Sequence, residues 1–198
     1  MLPQLYTFVA ATLALWLILM RIPKLRQKGI PAQFVFLLGL FGALLLPIYG
    51  NSASAHLFGV IGQLSVVTML LLLDRTASHF WRRAVVSEAE LQIVLGAVAV
   101  VGAGFYVLAL GVSPFDPYTL GFRPALLGAI LLLAGVLAYI KRKPGLLVLV
   151  AIPLLAYDMR ALESPNLWDY YIDPLLVLYA SVRLSQQIRS RYLRSRAA

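Results

Sequence analysis

The sequence predicts an all-α, polytopic integral membrane helix bundle of about seven transmembrane helices, with the N-terminus outside and the C-terminus cytoplasmic. Three observations lead there. Of 198 residues, 61% are apolar and 13% charged, against roughly 45–50% and about 25% in soluble domains. The mean hydropathy of +0.86 excludes a disordered chain, a coiled-coil rod and a water-soluble enzyme. The apolar residues also fall into runs near the ~20 residues needed to cross ~30 Å of hydrocarbon, and Lys and Arg collect in alternate connections.

The first run covers residues 3–20. It differs from an export signal because no basic residue precedes it, whereas Arg21, Lys24, Arg26 and Lys28 follow it. It is therefore expected to remain as the first span. Residues 31–49 and 57–73 form the second and third, joined by 50–56, which carry no Lys or Arg. The longest connection is 74–90, and its stretch 76–86 holds Phe80, Trp81, Val85 and Val86 beside Arg82 and Arg83, a composition suited to a helix or turn lying among headgroups. Residues 91–111 and 124–140 give the fourth and fifth spans. The sixth, 145–162, contains Pro153, which should bend it. The seventh, 170–188, is strongly apolar only over 174–182. Residues 1–198 thus read as a single transmembrane domain with short loops.

The basic residues orient it. Arg21, Lys24, Arg26, Lys28, Arg75, Arg82, Arg83, Lys141, Arg142, Lys143, Arg183, Arg189, Arg191, Arg194 and Arg196 all fall on one side, leaving Arg123 and Arg160 of the 17 on the other. A positive-inside bias of that size places the first group in the cytoplasm. The net charge of +9 then reflects orientation, and no nucleic-acid partner is expected. Membrane lipids are expected partners, with anionic headgroups at the cytoplasmic face meeting the arginine-rich tail.

Chemistry is sparse. Without cysteine, disulfides, thiol catalysis and zinc–thiolate sites are excluded. His56 has no partner at metal-ligand spacing, and His79 follows Asp74 in the reverse of the His-x4-Asp order used by one class of membrane acyltransferases. No metal and no cofactor are expected. The first five spans carry no ionisable group in their central turns, which argues against a proton-driven carrier.

The outer face is richer. Asp116, Asp158, Glu163, Asp169 and Asp173 gather there with Tyr118, Tyr157, Trp168, Tyr170, Tyr171, Arg123 and Arg160. Asp116, Tyr118, Arg123, Asp158, Arg160, Trp168 and Tyr171 are candidate ligand-binding residues, since guanidinium forks hold phosphate or carboxylate. Asp169 and Asp173 are the candidate catalytic residues. Four apart, they would share a helix face if the last helix began early, and neighbouring carboxylates raise one another's pKa. Only about 15 Å of helix separates Pro174 from Arg183, which should draw Asp173 below the headgroups. There it is expected to cap its own helix, to meet Arg160 or Arg123, or to share a proton with Asp169. A structural account covers the same residues: interfacial aromatic belts, Asp-Pro helix starts, and an Arg160 paired with Asp158 or Glu163.

In size and topology the chain is similar to the acyl-phosphate-dependent glycerol-3-phosphate acyltransferases. Their Ser/Gly/Asn-rich cytoplasmic motifs are missing from 21–30, 74–90 and 141–144, so the similarity implies no shared site. Recurrent glycines, among them Gly39, Gly42, Gly96, Gly102, Gly104, Gly128 and Gly135, allow helices to approach closely, within one bundle or against a membrane partner or second copy. The leading expectation is a non-catalytic subunit or accessory protein of a complex in the cell (inner) membrane. The alternatives are a small envelope enzyme acting on a lipid-linked or phosphorylated substrate at the outer leaflet, and a small transporter or channel.

Overall fold

The computed structural model describes residues 2–197 apart from 49–50, 54, 57–58, 60–61 and 113. It is all-α and 78% helical, and the only strands among the described residues are a two-residue antiparallel pair, Pro47–Ile48 (β1) with Asn51–Ser52 (β2). The helices are α1 (Leu2–Leu19), α2 (Pro23–Arg26), α3 (Ile30–Leu45), α4 (Val66–Trp81), α5 (Glu88–Val107), α6 (Thr119–Phe122), α7 (Ala125–Ile140), α8 (Pro144–Asp158), α9 (Trp168–Tyr171) and α10 (Pro174–Ala197).

Local chemistry sets the boundaries. Proline occupies the first turn of α2, α3 and α8, where its missing N–H costs nothing. Ser65 caps α4 through the Thr68 N–H, and Ser87 with Glu90 forms a reciprocal capping box at the start of α5. Past Val107, α5 widens into a π-helical turn, Leu108–Val112, ended by Gly111 at φ 83°. Only glycine takes that backbone without strain.

Three expectations are corrected. The third apolar run was expected to be helical over 57–73. Its start at Leu57 and Phe58 lies outside the described residues, but Gly62 turns at φ 78° and helix α4 begins only after Ser65. The helix then runs on to Trp81, so that 76–81 of the stretch expected as a helix or turn continue it, and closes with Arg82 in the left-handed region. The seventh helix does not begin at 170: Ile172 is extended, so α9 and α10 are separate. The sixth ends at Asp158 rather than 162.

The main core joins α4, α5, α7, α8, α9 and α10 around Leu71, Leu95, Leu149, Tyr170 and Ala180. Helix α10 lies along α5, and α7 and α8 form a hairpin. Contact between α5 and α10 depends on Gly102, where a Cβ would fall 2.3 Å from Val177 Cγ2. Helix α1 packs on α3 and α4 through a smaller cluster of Ala10, Leu13, Leu64 and Met69.

Among the described residues, one helical stretch, Glu88–Val112 (25 residues), is long and apolar enough to cross a membrane. Leu5–Leu19, Ile30–Leu45, Ala125–Ile140 and Pro144–Asp158 are apolar but shorter. At 1.5 Å per residue a 16-residue helix covers about 24 Å, less than a ~30 Å core.

Candidate functional site

The candidate residues divide into two polar networks and a remainder. Asp173, 3% exposed, stands where two helices begin. One carboxylate oxygen accepts the Leu176 N–H at 2.9 Å, capping α10. The other accepts the Ser65 N–H (3.1 Å), the Ser65 hydroxyl (2.8 Å) and the Thr68 hydroxyl (2.5 Å). Ser65 is itself the α4 cap, so one negative charge lies between two helix N-termini, each carrying roughly half a positive charge. Tyr6 of α1 closes the knot by donating to the Ser65 carbonyl at 2.8 Å. Of the partners expected for Asp173, its own helix is one. No hydrogen bond or ion pair joins it to Arg123, Arg160 or Asp169 among the described contacts.

The second network is built on the loop between α8 and α10. Asp169 accepts the Tyr118 hydroxyl at 2.8 Å and the Ser164 hydroxyl. Burial, and then the hydrogen bond to Asp169, push the Tyr118 phenol up to about 12, so it stays a donor at neutral pH. Asn166 is fully buried. Its amide donates to the Tyr118 carbonyl and accepts the Trp168 N–H, both at 2.9 Å. Trp168 Nε1 donates to the Pro117 carbonyl at 2.9 Å. The Leu167 N–H reaches the Gly121 carbonyl at 3.1 Å. Gly121 is required there, since a Cβ would lie 1.7 Å from Asn166 Oδ1.

The structure therefore brings Tyr118, Trp168 and Asp169 together. Asp116 serves the same loop by accepting the Tyr118 N–H at 2.9 Å. Tyr171 points the other way, its hydroxyl donating to the Val150 carbonyl of α8 at 2.5 Å. Arg123, Asp158 and Arg160 are exposed and join neither network. The ion pair expected for Arg160 is not formed: the salt bridges among the described residues are those of Arg75 with Asp74 and Glu88. The shared face expected for Asp169 and Asp173 is lost with the extended Ile172 between their helices. Among the described residues, no three His, Asp or Glu side chains converge as a metal would need.

Sequence reasoning missed Ser65, Thr68, Ser164 and Asn166. It also missed Glu90, 2% exposed, on the side where Lys and Arg collect. One Glu90 oxygen accepts the Ser87 N–H (2.9 Å) and hydroxyl (2.6 Å). The other accepts the Gly145 N–H (3.0 Å), which caps α8. The spacing Ser87-x-x-Glu90 carried that signal for α5; nothing local pointed to α8. At the same end, His79 meets the Gln33 side chain, whose amide donates to the Arg26 (2.9 Å) and Lys28 (2.6 Å) carbonyls.

Both buried carboxylates, Asp173 and Glu90, are thus surrounded by donors from the chain itself, an arrangement that fixes helices. Comparison with protein-family models, with curated proteins and with solved structures yields no match, so the functional argument rests on these side chains.

Proposed function

We propose that the chain is a multi-pass protein of the cell (inner) membrane, N-terminus outside and C-terminus cytoplasmic, serving as a non-catalytic subunit or accessory protein of a membrane complex. The membrane part of this reading is supported by the outer surface. Leu110 (83% exposed) and Val112 (75%) stand out from the π-helical turn after α5, and Tyr139 (72%) from α7, where Leu132, Leu133, Val136 and Ile140 are exposed as well. A soluble monomer rarely shows apolar surface on that scale.

The observation that carries the accessory role is the placement of the glycines. Gly102 and Gly135 face neighbouring helices, but a Cβ at Gly39, Gly42, Gly96, Gly104 or Gly128 would meet nothing within 4 Å. Gly39 and Gly42 lie one turn apart on the exposed side of α3. Small residues open toward lipid favour close approach by a helix of another subunit. Tyr118, Asn166, Trp168 and Asp169, by contrast, spend their hydrogen bonds inside the chain.

The test is purification from native membranes in mild detergent. A stoichiometric partner protein is expected, and Gly39→Leu with Gly42→Leu should release it while the chain remains folded. A chain that travels alone, before and after cross-linking in the membrane, would contradict the accessory role.

A further inference from the structure

One cavity has no place in the networks above. It lies between α5 and the α7–α8 hairpin, with a volume of about 200 Å³. Its walls are aliphatic apart from Trp168 and Tyr171. The polar atoms of those two are already spent, the indole N–H on the Pro117 carbonyl and the phenol on the Val150 carbonyl. A polar solute entering would therefore lose its water without gaining a partner. The exposed lining residues are Ala97 and Val101, one turn apart on α5, so the mouth opens sideways through that helix face. In the membrane reading that direction is hydrocarbon.

Chemistry narrows the occupant. A hydrocarbon chain needs no hydrogen-bond partner, so walls of Val, Leu and Ile carbons receive it without cost. Charge selects among lipids. Leu146, in the cavity wall, follows Lys143 by three residues, about 4.5 Å along the helix axis. Lys141, Arg142 and Lys143 thus stand at one end of the slot, on the face where Lys and Arg collect.

We propose that this cleft holds one acyl chain of an anionic phospholipid, with its headgroup at the Lys141, Arg142 and Lys143 turn. The proposal rests on the membrane reading, and its test separates the two. The full chain is reconstituted in nanodiscs of equal parts phosphatidylcholine and phosphatidylglycerol. Each contains a trace of one lipid or the other bearing a photoreactive group on its acyl chain.

Labelling should concentrate on peptides of α5, α7 and α8, and the phosphatidylglycerol probe should exceed the phosphatidylcholine probe by at least about fivefold, the effect of one basic group near the surface. Ala97→Trp, which fills the mouth, should abolish it. Should that variant fail to reconstitute, Val101→Phe provides the same readout. Replacing Lys141, Arg142 and Lys143 together by Gln should erase the lipid preference yet keep the labelled positions. Labelling spread over all apolar helices, or unchanged by filling the mouth, overturns the cleft while the membrane reading stands. A chain left in the aqueous fraction after alkaline extraction of its native membranes overturns both.

Discussion

Asp173 shows what a single buried charge demands. Desolvating a carboxylate is costly unless donors replace its water, and here four do. Asp173→Asn keeps an acceptor for Leu176 but sets an NH₂ group against the Ser65 N–H and the Ser65 and Thr68 hydroxyls. We expect it to cost about 1.5–3 kcal/mol, the range for hydrogen bonds to a charged group, measured by denaturant unfolding in detergent. Were Asp173 only a helix cap, Asn would substitute at almost no cost.

Tyr118 allows a test by pH. Its phenol holds its proton more tightly in the folded chain than the ordinary value of 10, up to about 12. Below pH 10 both states are neutral and the contribution is constant. Between pH 10 and 12 the unfolded chain ionises first, so stability falls as pH rises. Thermal unfolding should show that alkaline loss shrinking in Tyr118→Phe; identical profiles would remove Tyr118 from the buried network.

At the scale of elements, Glu90 joins two helices that are far apart in the chain. It completes the α5 capping box and caps α8 through Gly145, at a place where a glycine Cβ would lie 2.8 Å from the Val86 Cα. Glu90→Gln should lower stability by about 1.5–3 kcal/mol through lost charge-assisted bonds. Gly145→Ala should cost about 1–3 kcal/mol by overpacking. Loss of unfolding cooperativity between α5 and α8, followed by hydrogen exchange, is the accompanying readout, and no change in either variant would separate the helices.

These elements also show what could be read from sequence. Ser87-x-x-Glu90 and Asp173-Pro174 announce helix starts because a cap is a local interaction. Hydropathy carries the third span through 57–73 because Gly62, Gln63 and Ser65 interrupt the backbone without bringing a charge into the run. The pairing of Asp173 with Ser65 spans 108 residues and follows from two helices starting side by side, which no spacing rule encodes. Asp169 and Asp173 were drawn to one face by helical spacing, and the extended Ile172 defeats it.

For the whole molecule, the all-α class followed from composition, since 61% apolar residues gathered in runs near membrane-span length call for helices. The number of crossings did not, because apolar length in sequence and helix length in space differ wherever a proline, glycine or cap shortens the helix. The orientation rests on Lys and Arg collecting beyond the apolar runs, in the connections and in the polar second half of α10. The chain lacks cysteine, which makes single-cysteine labelling clean. Asn51→Cys and Glu163→Cys should react with a membrane-impermeant maleimide on intact cells, while Lys141→Cys and Ser190→Cys should react only after permeabilisation. Labelling of position 163 and position 190 from the same side would contradict the proposed membrane topology.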